Sequence, residues 1–77
     1  MYFTIVHLYD PNDIHFIGQV DNIGWAQKRV ENYLKDCYYS TDKEWVQVPY
    51  RPQIISKNFY NKDKHIIAKA YIYNEDY

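Results

Sequence analysis

The sequence predicts an α+β fold: an antiparallel sheet with one amphipathic helix packed on a face, in the order β-β-α-β-β-β. Three observations predict it. Aromatic and β-branched runs flank turn residues at both ends of the chain. Between them lies one segment whose apolar residues recur at helical spacing. Prolines and polar clusters then divide the second half into short strands, and short connections of this kind suit antiparallel neighbours. With 77 residues the chain has the size of one domain, residues 1–77.

Residues 2–9 (YFTIVHLY) read as the first strand and residues 14–20 (IHFIGQV) as the second, joined by the turn Asp10-Pro11-Asn12-Asp13. Gly18 inside the second strand marks a bulge or a close backbone approach. Asp21-Asn22 offers an N-cap for a helix over 23–38, with Ile23, Ala26, Val30, Tyr33, Leu34 and Cys37 on its apolar face. Residues 40–43 read as a polar loop and 44–48 (EWVQV) as a short strand ended by Pro49. Pro49-Tyr50-Arg51-Pro52 reads as a connector of polyproline character, because neither proline can donate to a ladder. Residues 53–60 and 65–73 form the last two strands around Asn61–Lys64. The 65–73 segment also fits a helical face, and its β-branched and aromatic content favours the strand. Residues 74–77 read as a frayed tail.

The net charge of −1 argues against a domain that grips duplex DNA by its phosphates. The charge is uneven: residues 1–50 sum to −3, residues 51–69 to +4 and residues 70–77 to −2. Arg51, Lys57, Lys62, Lys64 and Lys69 make the basic stretch, read as a solvated strand face. One cysteine allows no internal disulfide and no cysteine-based zinc site. The N-terminal residues lack a signal-peptide pattern, and no apolar run approaches the roughly 20 residues that span a bilayer. A cytoplasmic protein is expected.

The chemistry-bearing residues point away from catalysis, and neither a metal nor a cofactor is expected. His7 and His15 flank the acidic turn, but pairing Tyr9 with Ile14 sends them to opposite sheet faces, with only His65 left as a ligand. Cys37 falls on the apolar helix stripe, far from the helix end that lowers a thiol pKa, and reads as a small buried hydrophobe. There is no glycine-rich phosphate loop and no nucleophile elbow. The informative excess is aromatic: 19% of residues, ten of them tyrosines. Phe3, Trp25, Tyr33, Trp45 and Phe59 are expected in the core, which leaves rings over for a binding surface. Tyr50, Arg51, Tyr60, Lys69, Tyr71 and Tyr73 are the expected partner contacts. An alternative is a platform for single-stranded nucleic acid built from Lys57, Phe59, Lys69 and Tyr71. A third is a homodimer paired through an exposed edge at the last strand.

The stretch IVHLYDPNDIHFIG, with Trp25, Ala26 and Val30 following in a helix, is similar to small bacteriophage proteins over about the first 40 residues. The resemblance implies an early, host-takeover product that binds and disables one host enzyme or defence complex. It assigns no functional residue.

Overall fold

The computed structural model describes residues 1–76. Strands β1 (Tyr2–Tyr9) and β2 (Asn12–Val20) form the first hairpin, α1 (Ile23–Tyr33) follows, and β3 (Ser40–Thr41), β4 (Val46–Val48), β5 (Arg51–Tyr60) and β6 (Ile66–Asn74) complete the chain. All pairings are antiparallel, in one six-stranded sheet of order β2-β1-β6-β5-β3, with β4 also lying along β5. The expected α+β class and order are observed, with the two-residue β3 added where a polar loop was expected. Segment 66–74 is a strand.

The register sorts the side chains. Thr4 pairs with Ile72 and Val6 with Ala70, while Phe59 pairs with Ala68; all six are buried beneath α1 and the segment that follows it. Against them the helix sets Ala26, Val30 and Leu34, four residues apart and almost fully buried. Tyr38 closes over Phe59 edge-on, ring centroids 4.9 Å apart, and Trp45 packs on the same cluster. The core is thin: of the eight fully buried apolar residues among those described, three are alanines.

Several local expectations are corrected. The hairpin turn is the pair Asp10–Pro11, with a cis peptide between them, so Tyr9 pairs with Asn12 rather than Ile14. The shift is two residues, which preserves side-chain parity: His7 and His15 do project to opposite faces. The bulge falls at Gly18 as expected; its φ is +149°, and a Cβ there would collide with the Arg29 guanidinium. Arg29 Nη1 donates to Ile17 O at 3.3 Å, which blunts the free edge of β2.

The helix begins where expected, with Asn22 Oδ1 accepting from Trp25 N–H at 3.1 Å. It ends at Tyr33, five residues short of the expected Tyr38. The sequence beyond, Asp36-Cys37-Tyr38-Tyr39, consists of weak helix formers, and Cys37 N–H turns back to Leu34 O at 2.8 Å. Cys37 is consequently exposed rather than buried. Trp25 (63% exposed) and Tyr33 (45%) also stay outside the core, because the short helix turns only its Ala26–Val30–Leu34 stripe to the sheet. At the other end, Asn74 closes β6 and Glu75 N–H donates to Met1 O at 3.1 Å, so the expected fraying does not begin at 74; Tyr77 lies outside the described residues.

Candidate protein-binding surface

Two exposed features collect the surplus aromatic residues. The first is the tip of the β4–β5 hairpin. Val48 pairs with Arg51, so Pro49 and Tyr50 form a tight two-residue turn in place of the expected polyproline connector. Proline presets the first turn position, and Tyr50 takes the second with φ +64°, a left-handed conformation that glycine or asparagine normally supplies. The ring gains nothing inside the chain from this placement, since Tyr50 is 99% exposed. Arg51 beside it is also exposed. The β4 ladder skips from Gln47–Ile55 to Val48–Arg51, passing over Pro52, which has no N–H to offer.

The second feature is the sheet face opposite the helix. The odd positions of β1 point there, and their partners follow. Gln19, Phe3, Tyr73 and Ile54 form one cross-strand row; Phe16, Ile5, Tyr71, Ser56 and Val46 form the next. Ile14, His7, Lys69 and Asn58 make a third. Among the described residues no helix or strand packs across this face, though sheet neighbours leave Phe3, Ile5, Tyr71 and Tyr73 half-buried and Ser56 buried. Phe3 packs against Phe16 (centroids 5.8 Å apart) and Tyr73 (6.1 Å), yet Phe16 remains 62% exposed, Ile14 67% and Val46 57%. The Lys69 amine lies over the Tyr71 ring at 5.8 Å.

The six expected contact residues therefore separate. Tyr50 and Arg51 share the hairpin tip; Lys69, Tyr71 and Tyr73 share the uncovered face. Tyr60 is engaged internally: its hydroxyl donates to Asp42 Oδ1 at 2.7 Å, while Asn58 N–H donates to Asp42 Oδ2 at 3.0 Å. Burial alone would raise the Asp42 pKa; the hydrogen bonds from Tyr60 and Asn58, with nearby Lys57, outweigh it and hold the carboxyl below the ordinary aspartate value. The same bond to Asp42, followed by burial, pushes the Tyr60 hydroxyl up.

The nucleic-acid platform does not assemble as expected. Lys57 and Phe59 alternate onto the helix side, where Phe59 is fully buried and Lys57 only 8% exposed, its amine 5.8 Å from the Trp45 ring centre. Lys57 is thus no part of a solvated basic face. Nor is the last strand an edge. β6 pairs with β1 on one side and β5 on the other, which removes the expected homodimer through its free backbone.

Elsewhere, Tyr33 Oη lies 3.0 Å from His15 Nδ1, and His15 Nε2 lies 2.9 Å from Asp13 Oδ2, a chain that ties the helix end to β2 at the surface. Exposed Cys37 lines a shallow, open hollow with Tyr39 and Lys62. Among the described residues no group of three His, Cys, Asp or Glu side chains could hold a metal ion. Among them, too, no helix is long and apolar enough to cross a membrane. Sequence reasoning missed Ile5, Ile14 and Phe16 as surface residues and assigned Phe3 to the core. The available signal was that β1 is apolar at odd and even positions alike, the pattern of a strand meant to be covered on both faces.

Fold and surface together define the class: a helix-backed antiparallel sheet with one face bare and one projecting hairpin. No family model, curated protein or solved structure matches the chain.

Proposed function

We propose that this is a non-catalytic protein-binding module that presents Tyr50 and Arg51 to a partner protein. The observation that carries the reading is Tyr50: a fully exposed ring held in a left-handed conformation that its own fold does not reward. Tyrosine and arginine are the residue types that dominate interface energetics, and a rigid tight turn lowers the ordering cost of binding. A tip of this kind fits a concave protein surface with an apolar wall and a carboxylate near its rim, the carboxylate answering Arg51. The sequence resemblance of the first 40 or so residues directs the proposal further, to a phage-type inhibitor or modulator of a bacterial host enzyme or defence complex, acting in the host cytoplasm.

The test is affinity capture from a nuclease-treated bacterial lysate with the wild-type chain and with Tyr50→Ala/Arg51→Ala. A stoichiometric protein that binds the former and not the folded variant supports the reading. Equal capture by both removes the hairpin tip from the interface, and loss of all partners on nuclease treatment transfers the function to nucleic acid.

A further inference from the structure

We infer that the uncovered sheet face is the interface of a homodimer, two copies packing face to face as a β-sandwich. Chains below about 70–80 residues rarely gain more than about 3–5 kcal/mol from a single core, and natural mini-proteins add disulfides, a metal or oligomerisation. This chain has a single cysteine, and among its described residues no metal-holding cluster. Its core is thin on the helix side, and α1 is the one helix among the described residues, so the opposite face is left bare. That shortfall exists wherever the chain exists, and a second copy is the one partner always present with it.

The dimensions agree. Four strand positions of about eight residues, and a fifth of five residues where β3 and β4 lie along β5, give a face of about 600 Å² at about 4.8 Å by 3.4 Å per residue, so a pair would bury about 1,200 Å², at the lower end of the range of stable interfaces. The rows are right for a sandwich: Phe3, Ile5, Phe16, Tyr71 and Tyr73 alternate with inward residues, as the inner faces of stacked sheets do.

Electrostatics favour a like copy over a charged ligand. Lys69 is the one full positive charge in the three central rows, and its amine lies over the Tyr71 ring of the neighbouring row. Asp42 stands at the margin of the Lys69 row beside Asn58. The face is close to neutral, so two identical copies meet without strong repulsion, whereas a nucleic-acid strand would find one cation. On this inference Lys69, Tyr71 and Tyr73 contact a second copy rather than a foreign protein, while Tyr50 and Arg51, at the hairpin tip, belong to none of the three rows. Dimerisation and partner capture by the tip can therefore fail independently.

The experiment is sedimentation equilibrium of the full chain from about 1 to 300 µM, with thermal melts at each concentration, since self-association makes Tm concentration-dependent. Wild type is expected to move from 9.4 kDa towards twice that mass, with Tm rising alongside. Phe16→Asp places a charge in the middle row of the face, on its edge strand β2, at a position exposed in the single chain; it is expected to keep the sheet circular-dichroism signal and to weaken self-association on the order of 10-fold or more. Ile14→Lys serves as the second variant should the first misfold, and it too should disperse the dimer. A wild-type chain that stays monomeric and melts at one temperature throughout overturns the inference. So does a dimer that survives both substitutions, or a folded monomer whose face takes up oligonucleotide instead.

Discussion

Replacing Tyr50 with glycine is expected to make the fold more stable, although it deletes the largest side chain in the turn. A left-handed conformation costs a non-glycine residue about 1–2 kcal/mol. Glycine avoids that cost but brings about 0.5–1 kcal/mol of extra unfolded-state entropy. Nothing is lost on the packing side, because the Tyr50 ring is 99% exposed. The net gain is then about 0.5–1 kcal/mol, or roughly 2–8 °C in Tm for a domain of this size. Tyr50→Ala is the control: it removes the ring and keeps the conformational penalty, so its stability should lie within about 0.5 kcal/mol of wild type. Urea melts of the three proteins at one fixed concentration decide the matter. If Tyr50→Gly and Tyr50→Ala are both destabilised, the ring makes contacts within the fold, and the case for an unrewarded, partner-directed tyrosine collapses.

Phe59→Ala removes the largest fully buried side chain and is expected to cost about 3–5 kcal/mol by urea denaturation, most of what a chain of this length has in reserve. Asp42 carries its charge at a lowered pKa, so its contribution is present above the ordinary aspartate value near 4 and is lost as pH falls through the still lower folded value. Tyr60, raised by the same bond, contributes below about 10 and loses its part as pH climbs through the higher folded value. Asp42→Asn should therefore flatten both limbs of the stability–pH profile, while costing about 1–2 kcal/mol near neutrality through the weakened charge-assisted bonds. Cys37 should react with one equivalent of a thiol reagent in native buffer; a thiol protected until denaturant is added would contradict the helix end at Tyr33.

The elements legible in the sequence are those whose pattern and packing agree. Residues 66–74 alternate cleanly, with Ala68, Ala70 and Ile72 inward and Lys69, Tyr71 and Tyr73 outward, and the strand forms accordingly. Asn22 announces the helix start through a local hydrogen bond, and Gly18 announces the bulge through its missing Cβ. The misread positions depend on distant partners. Tyr33 and Cys37 continue the apolar spacing of α1, but the sheet is already covered there by Tyr38 and Trp45 from the following segment, so continuing the helix offers no further burial. Lys57 sits in a basic run yet is drawn inward by strand parity and by the Trp45 ring. Pro52 looks like a barrier to a sheet and is accommodated because β4 skips past it and β6 pairing begins only at Ile54.

The hydrophobic pattern of β1 carries the strongest constraint on how the molecule is used. Tyr2–Tyr9 lies inside the sheet, with β2 and β6 on its sides, and both of its faces are rich in apolar residues. In a sheet covered on one side only, selection for solubility would place polar residues at positions 3 and 5, as it has placed Lys69 on β6. Phe3 and Ile5 stand there instead, with Phe16, Tyr71 and Tyr73 around them. An 11-residue helix, about 16 Å long, can shield only one face. The chain therefore encodes more apolar surface than its own elements can bury, concentrated on strands whose backbones are already paired. Cover must arrive as a surface laid on the face rather than as a strand added to an edge. Tyr50 and Arg51, past Val48 at the hairpin tip, stand in none of the rows of that face, which leaves them to a different partner.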